Sequence, residues 1–148
     1  MSFAMVVARR PVSIEAKSKG LFQTELRREA AAMWGSTPKL DGDLYIRIVW
    51  VHADKTTQDV DNVAKRILDA LKGIVYDDDH RIVKCLTEKI WASDEFVLAP
   101  EHRPIKIVNR RLEKMLYRYP PLPDVLYIEV GQVTSRRFVF GPIDGGDL

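Results

Sequence analysis

Apolar and polar positions alternate along the chain with two different periods. Residues 3–8 form a short apolar run closed by Arg9-Arg10-Pro11, which predicts a first strand. After a polar, lysine-bearing loop, Leu21, Phe22, Leu26, Ala30 and Met33 recur near helical spacing. Glu25, Arg27, Arg28 and Glu29 fall on the outside of that helix. Gly35 and Pro38 stop it. Residues 44–52 are rich in β-branched and aromatic side chains and predict a buried strand. A polar loop, Ala53-Asp54-Lys55-Thr56-Thr57-Gln58, leads into a second helix from Asp61. Its core positions are Val63, Ile67, Ala70 and Leu71, and Gly73 is its C-terminal stop. Residues 81–91 predict a third strand. Ile105, Val108, Leu112 and Met115 predict a third helix, opening at Asn109 or in the Pro104 region and ended by Pro120-Pro121-Leu122-Pro123. Residues 126–130 predict a last strand, and residues 141–148 a loose tail. The predicted order is β-α-β-α-β-α-β, an α+β (α/β) fold in which two or three helices pack on a mixed sheet as one domain.

A chain of 148 residues with 46% hydrophobic and 30% charged residues can bury a core without staples. No internal repeat or low-complexity tract is visible. Its apolar runs are too short to span a membrane, and its first residues lack the layout of a secretory signal. Cys85 is the single cysteine, so no internal disulfide can form and a cytoplasmic protein is expected. The thiol reads as a small buried hydrophobe. Net charge is only +2, but it is unevenly spread, at +4, −4, +4 and −2 over residues 1–40, 41–100, 101–123 and 124–148. An acidic centre flanked by basic stretches suits a protein that holds cations in its middle and a polyanion at its flanks; a plain solvated surface can share that pattern.

The chemistry concentrates in Asp59-Val60-Asp61-Asn62-Val63-Ala64-Lys65 and in Asp77-Asp78-Asp79. At a helix start, an Asp-x-Asp pair taken alone is more often a cap than a metal site. Three adjacent aspartates before a strand repel one another without a countercharge, which shifts the balance toward a cation site. Convergence of the two groups is feasible but not compelled. Residues 74–76 span about 10 Å when extended, whereas a helix from Asp61 to Lys72 is about 18 Å long. Lys65 lies one helical turn beyond Asp61. It is either a surface partner of that aspartate, adding about 0.2–0.5 kcal/mol, or an ammonium beside a metal-bound phosphate. Carboxylates with a lysine suit Mg²⁺-assisted phosphodiester hydrolysis. A calcium loop from Asp77 fails because its sixth position is not glycine and Lys84 and Cys85 occupy ligand positions. Zinc is disfavoured by scattered His52, His80 and His102, and no glycine loop indicates a nucleotide cofactor.

These residues closely resemble the signature of the RusA-type Holliday-junction resolvases: Asp59-x-Asp61-Asn62, Lys65 on the next turn, Asp69-Ala70-Leu71, and aspartates after the apolar stretch that ends at Tyr76. Lys89 matches a lysine in the following strand, and Pro11-Val12-Ser13 resembles the Pro-x-Ser segment near the start of many members. The resemblance implies a homodimeric, Mg²⁺-dependent endonuclease, with Mn²⁺ as a substitute, that makes paired nicks across a four-way DNA junction. It makes Asp59, Asp61 and Asp79 metal-binding catalytic carboxylates, with Asp78 their neighbour at the metal. Lys65 becomes the cation near the scissile phosphate, and Asn62 and Lys89 become DNA-side residues, Asn62 orienting an aspartate or a water. Asp69 reads as a solvated or capping acid. Two features depart from the pattern. Arg81 stands where such proteins often have glutamine, with consequences for sequence preference or DNA contact. The segment 92–123, with Arg103, Lys106, Arg110, Arg111, Lys114 and Arg118, has no clear counterpart and reads equally as a DNA-facing helix or a solvated face. A nuclease for flaps or forks, and a non-catalytic branched-DNA-binding protein, remain as alternatives.

Overall fold

The computed structural model describes residues 2–11, 19–56, 58–94, 106–118, 124–134, 138, 140 and 141. Its elements are β1 (Ser2–Val7), α1 (Lys19–Trp34), β2 (Leu44–His52), α2 (Val60–Leu71), a 3-10 turn (Asp79–Arg81), β3 (Ile82–Trp91), α3 (Lys106–Leu116) and β4 (Asp124–Gln132). Several sequence expectations lie outside the described residues: Val12 and Ser13, His102 to Ile105, the stop at Pro120 to Pro123, and the tail beyond Gly141.

The four strands form one mixed sheet in the order β1-β4-β2-β3. β4 runs antiparallel to both β1 and β2, whereas β2 and β3 are parallel, with Ile46 opposite Cys85 and Trp50 opposite Lys89. A parallel pair needs a crossover connection, and α2 is that crossover. It therefore starts near the end of β2 and returns to the start of β3. Its buried face contains the stripe predicted from spacing, Val63, Ile67, Ala70 and Leu71, together with Ala64 and Arg66. That face joins a core with Ile46, Ile48, Trp50, Ile128 and α1. A smaller cluster on the opposite side of the sheet packs Leu112 of α3 against Val6, Val51, Val125 and Tyr127.

Two expectations about α1 need correction. Leu21 and Met33 are exposed (60% and 45%), and Trp34 takes the last core position after Phe22, Leu26 and Ala30. A face containing residues 22, 26, 30 and 34 uses a four-residue step throughout, so Met33 rotates away from the sheet. Nor are the charged residues of α1 simply outside. Arg9 pairs with both Glu25 and Glu29. Arg27 donates to the main-chain oxygens of Ala70 (3.1 Å) and Lys72 (2.7 Å), closing the C-terminal end of α2 from a neighbouring helix. A cation there satisfies carbonyls left open by the helix and opposes its dipole. Gly73, at φ +82°, turns the chain out of α2.

On the far face of the sheet, Tyr45 and Tyr127 both hydrogen-bond to Glu129. Burial, followed by hydrogen bonding and the Glu129 charge, raises the Tyr45 phenol above its ordinary value. Burial and then that same charge raise Tyr127. The ring of Tyr45 lies where a Cβ on Gly131 would sit, 2.7 Å from the nearest ring atom, so this β4 position accepts only glycine without movement.

Two outcomes are expected. Ile67→Ala removes the centre of the α2 core stripe and should lower unfolding free energy by about 2–5 kcal/mol in denaturant titrations. Because the folded pKa values of Tyr45 and Tyr127 exceed the unfolded value, their contribution is complete below pH about 10 and is lost as pH rises through the folded values. Thermal melts across pH 8–12 should show an alkaline loss of stability coupled to tyrosine ionisation.

Candidate active site

The local chemistry around Asp59 begins with the helix start. Asp59 occupies the N-cap position of α2 in an extended conformation, yet its side chain makes no capping hydrogen bond. The capping role that accounts for many such aspartates is therefore not used here. Asp61, on the first turn, is exposed and its Oδ1 accepts from the neighbouring Asn62 N–H at 3.0 Å. Asp61 and Lys65 form no ion pair with each other among the described residues.

Along α2, Asp61, Lys65, Leu68 and Asp69 follow one another at intervals of four, three and one residues, which places them on one face. That face borders an open groove of about 690 Å³ whose other wall is β3, with Cys85 and Thr87, and whose lining includes Asp79. Cys85 is exposed, contrary to the expectation that it is packed in the core. β3 is an edge strand among the described residues, and its Cys85 lines the groove beside α2. Asp61, Lys65 and Asp79 are thus brought to one groove. Asp59 and Asp78 are not among its lining residues. Among the described residues, no group of three or more His, Cys, Asp or Glu stands close enough to hold a metal ion.

The row of three aspartates does find countercharges. Arg81 pairs with Asp77 and also with Asp41 at 2.6 Å, and its hydrogen bond draws the Asp77 carboxyl down to about 2. Lys72 lies 3.1 Å from Asp78 and lowers that carboxyl as well, while His80 Nδ1 is 3.4 Å away. The guanidinium of Arg81 is therefore engaged in holding the turn. Asp79 differs. Its Oδ1 is buried and has no hydrogen-bond partner among the described residues. Its charge acts with that of Asp69 on Lys72 and Tyr76 at the C-terminal end of α2, and burial followed by these two carboxylates raises the Tyr76 phenol. Asp79 and Asp69 therefore stand at one end of the groove and Asp61 toward the other.

A lysine and a glutamine hold the acidic loop in place. Lys89 Nζ donates to the main-chain oxygen of Gln58 at 2.6 Å, tying β3 to the residue before Asp59. The Gln58 side chain donates to the Pro11 oxygen at 2.6 Å, tying the same residue to the exit of β1. Sequence reading assigned Lys89 to the DNA and treated Gln58 as ordinary loop. Both anchors link residues at least 31 positions apart, so no local pattern could reveal them. Asn62 is half-buried on the first turn of α2. Of the basic residues in α3, Arg110, Arg111 and Lys114 are exposed, and the helix packs on the sheet face opposite the groove.

The family model of endodeoxyribonuclease RusA matches residues 13–97, more than half of the chain. The chain belongs to the RusA endodeoxyribonuclease family. The match contains α1, β2, α2 and β3, and so every groove residue named above, whereas α3 and β4 lie beyond it. No curated protein matches the chain. Membership of the RusA family makes this protein an endodeoxyribonuclease of the Holliday-junction resolvase type, and among the described residues no helix is long and apolar enough to cross a membrane.

Lys89→Ala should release the Gln58 carbonyl and leave the Asp59 loop less well positioned. Faster amide exchange confined to residues 53–59 is expected, with nuclease turnover reduced by about 10- to 100-fold, the scale of a small misplacement of reacting groups.

Proposed function

We propose that the protein resolves four-way DNA junctions by paired, metal-dependent nicks, with the groove between α2 and β3 receiving the scissile strand. The observation that carries this reading is the Asp79 carboxylate, whose buried Oδ1 lacks a partner among the described residues and which lines a groove that also holds Asp61 and Lys65. An unsatisfied buried carboxylate oxygen is costly unless a ligand completes it.

The donors fit a hard divalent cation. Asp59, Asp61 and Asp79 have no ion-pair partner among the described residues, and Mg²⁺ takes one or two carboxylates with waters and substrate phosphate oxygens, so a cage of three protein ligands is not required. Asp61, with Asp59 beside it, and Asp79, with Asp78 next to it, would supply the carboxylates that hold Mg²⁺, one or two to an ion; Mn²⁺ is the expected substitute. When bound, Mg²⁺ lowers the pKa of its water toward neutrality and screens the phosphate charge. The chain's own residues supply the rest. Lys65 presents an ammonium along the groove, one turn from Asp61, where it opposes negative charge gathering on the phosphate oxygens. Asn62, at the start of the helix, orients an aspartate or a water. The Lys89–Gln58–Pro11 links keep the loop before Asp59 fixed while DNA enters.

A four-way junction has near two-fold symmetry, and a symmetric homodimer offers two equal grooves for two equivalent strands. The edge position of β3, with Val83 and Leu86 exposed, supports self-association. A cytoplasmic setting agrees with a DNA substrate and an unpaired exposed thiol.

The test uses a labelled synthetic four-way junction with Mg²⁺ or with EDTA. Paired symmetric nicks are expected with Mg²⁺ only. Asp79→Asn and Asp59→Asn should abolish cleavage, a loss of at least about 1,000-fold on the scale of a removed electrostatic group, while junction binding persists through phosphate contacts. Full cleavage by either variant would refute the assignment. Binding without nicking under Mg²⁺ and Mn²⁺ would favour a non-catalytic junction binder.

A further inference from the structure

At the ends of β2 and β3, next to the acidic loop, the sheet carries an aromatic group that the cleavage chemistry does not use. Trp91, the last residue of β3, is 45% exposed. It pairs in register with His52, the last residue of β2. Its ring centroid lies 4.5 Å from that of His52, and His52 in turn lies 5.5 Å from buried Trp50. Three backbone and side-chain bonds hold this corner: Ala92 N–H to the His52 oxygen at 2.8 Å, Trp91 N–H to Asp94 Oδ2 at 2.8 Å, and Asp94 N–H to the Trp91 oxygen at 2.9 Å. His52 is itself buried and bonded through Nδ1 to the Asp54 oxygen at 2.9 Å. The exposed indole is thus a backed and tethered plate rather than a loose side chain.

Its position bears on function. Strand pleating puts Trp91 on the same face as Lys89, about 7 Å further along β3, and Lys89 is bonded to the residue before Asp59. Arg10, exposed and without an ion pair among the described residues, holds its guanidinium 5.9 Å from the Trp50 ring in the same corner. An exposed aromatic plate at one end of a row of packed rings, with a guanidinium that has no ion pair among the described residues held over another ring of that row, is a combination that binds an unstacked base and its phosphate.

We infer that Trp91 is a stacking platform for a nucleobase left unstacked at the branch point of the DNA, with Arg10 on the adjoining phosphate. The inference rests on the reading of branched DNA as substrate. Duplex DNA stacks its own bases and offers the plate no interior base face, whereas a branch point interrupts stacking and exposes one. Trp91 therefore favours junction over duplex, a discrimination that the aspartates and Lys65 cannot provide because they act on the sugar-phosphate backbone common to both.

The experiment measures binding of the full-length protein, in EDTA, to a four-way junction and to a linear duplex of the same arm sequence. Trp91→Ala is expected to bind the junction about 10- to 100-fold more weakly, the scale of one lost base–aromatic stack, with less than about threefold change on duplex. Trp91→Phe retains a ring and should stay within about threefold of wild type on the junction. Junction binding should quench indole emission in the wild-type protein and not in Trp91→Phe, since Trp34 and Trp50 are buried. Unchanged junction affinity in Trp91→Ala, equal losses on both DNAs, or quenching that survives in Trp91→Phe would each overturn the platform. A wild-type protein that binds junction and duplex alike would overturn the junction reading as well, so the two failures are told apart.

Discussion

Parallel pairing of β2 with β3 is the constraint from which the site's layout follows. Two parallel neighbours cannot be joined by a tight turn, so the chain must climb back along the sheet, and the helix that does so has to bury one face on the way. The stripe of Val63, Ile67, Ala70 and Leu71 meets that need. Once the stripe is buried, the remaining faces of α2 are set, and Asp61, Lys65 and Asp69 come to lie along the wall of the groove beside β3. The same crossover sends Asp59 and Asp79 to different ends of α2. Asp61, Asp69 and Asp79 are therefore spread along a groove rather than gathered at a point.

Charge pairing separates structural acids from groove acids. Glu25 and Glu29 hold Arg9, Asp77 holds Arg81, and Asp78 holds Lys72. Each of these pairs is partly or largely exposed and adds little by itself, but together they tie the turn before β3 and join the middle of α1 to the chain leaving β1. Asp59, Asp61, Asp69 and Asp79 have no ion-pair partner among the described residues. Asp61, Asp69 and Asp79 thus line one groove as like charges that repel one another. Lys65, one turn from Asp61, forms no ion pair with it among the described residues.

The two faces of the sheet have different roles. The α2 face carries the groove, the anchors through Lys89 and Gln58, and the aromatic corner of Trp50, His52 and Trp91. The other face carries α3 and the Glu129 network with Tyr45 and Tyr127. The basic residues of α3 are thus on the side away from the groove of the same copy. Any contact they make with DNA involves a strand that has passed around the sheet edge, or a neighbouring copy.

Local pattern alone determined much of this protein. The β-branched and aromatic run of residues 44–52 identified the central strand, and the helical spacing of the α2 stripe identified the crossover helix, because side-chain type, period and burial are coupled through elementary geometry. The Asp-x-Asp-Asn, lysine and aspartate spacing pointed to the family and to the candidate carboxylates. Tertiary structure decided what spacing could not. Cys85 and Met33 are apolar by chemistry, yet strand order and helix rotation leave them exposed. Arg27 and Lys89 are charged, yet each is drawn to a carbonyl 31 or more residues away. Whether Asp77, Asp78 or Asp79 is left without a partner depends on where Arg81 and Lys72 reach once the turn has closed. Contacts between distant segments obey the packing of the whole sheet, and no window of neighbouring residues contains that information.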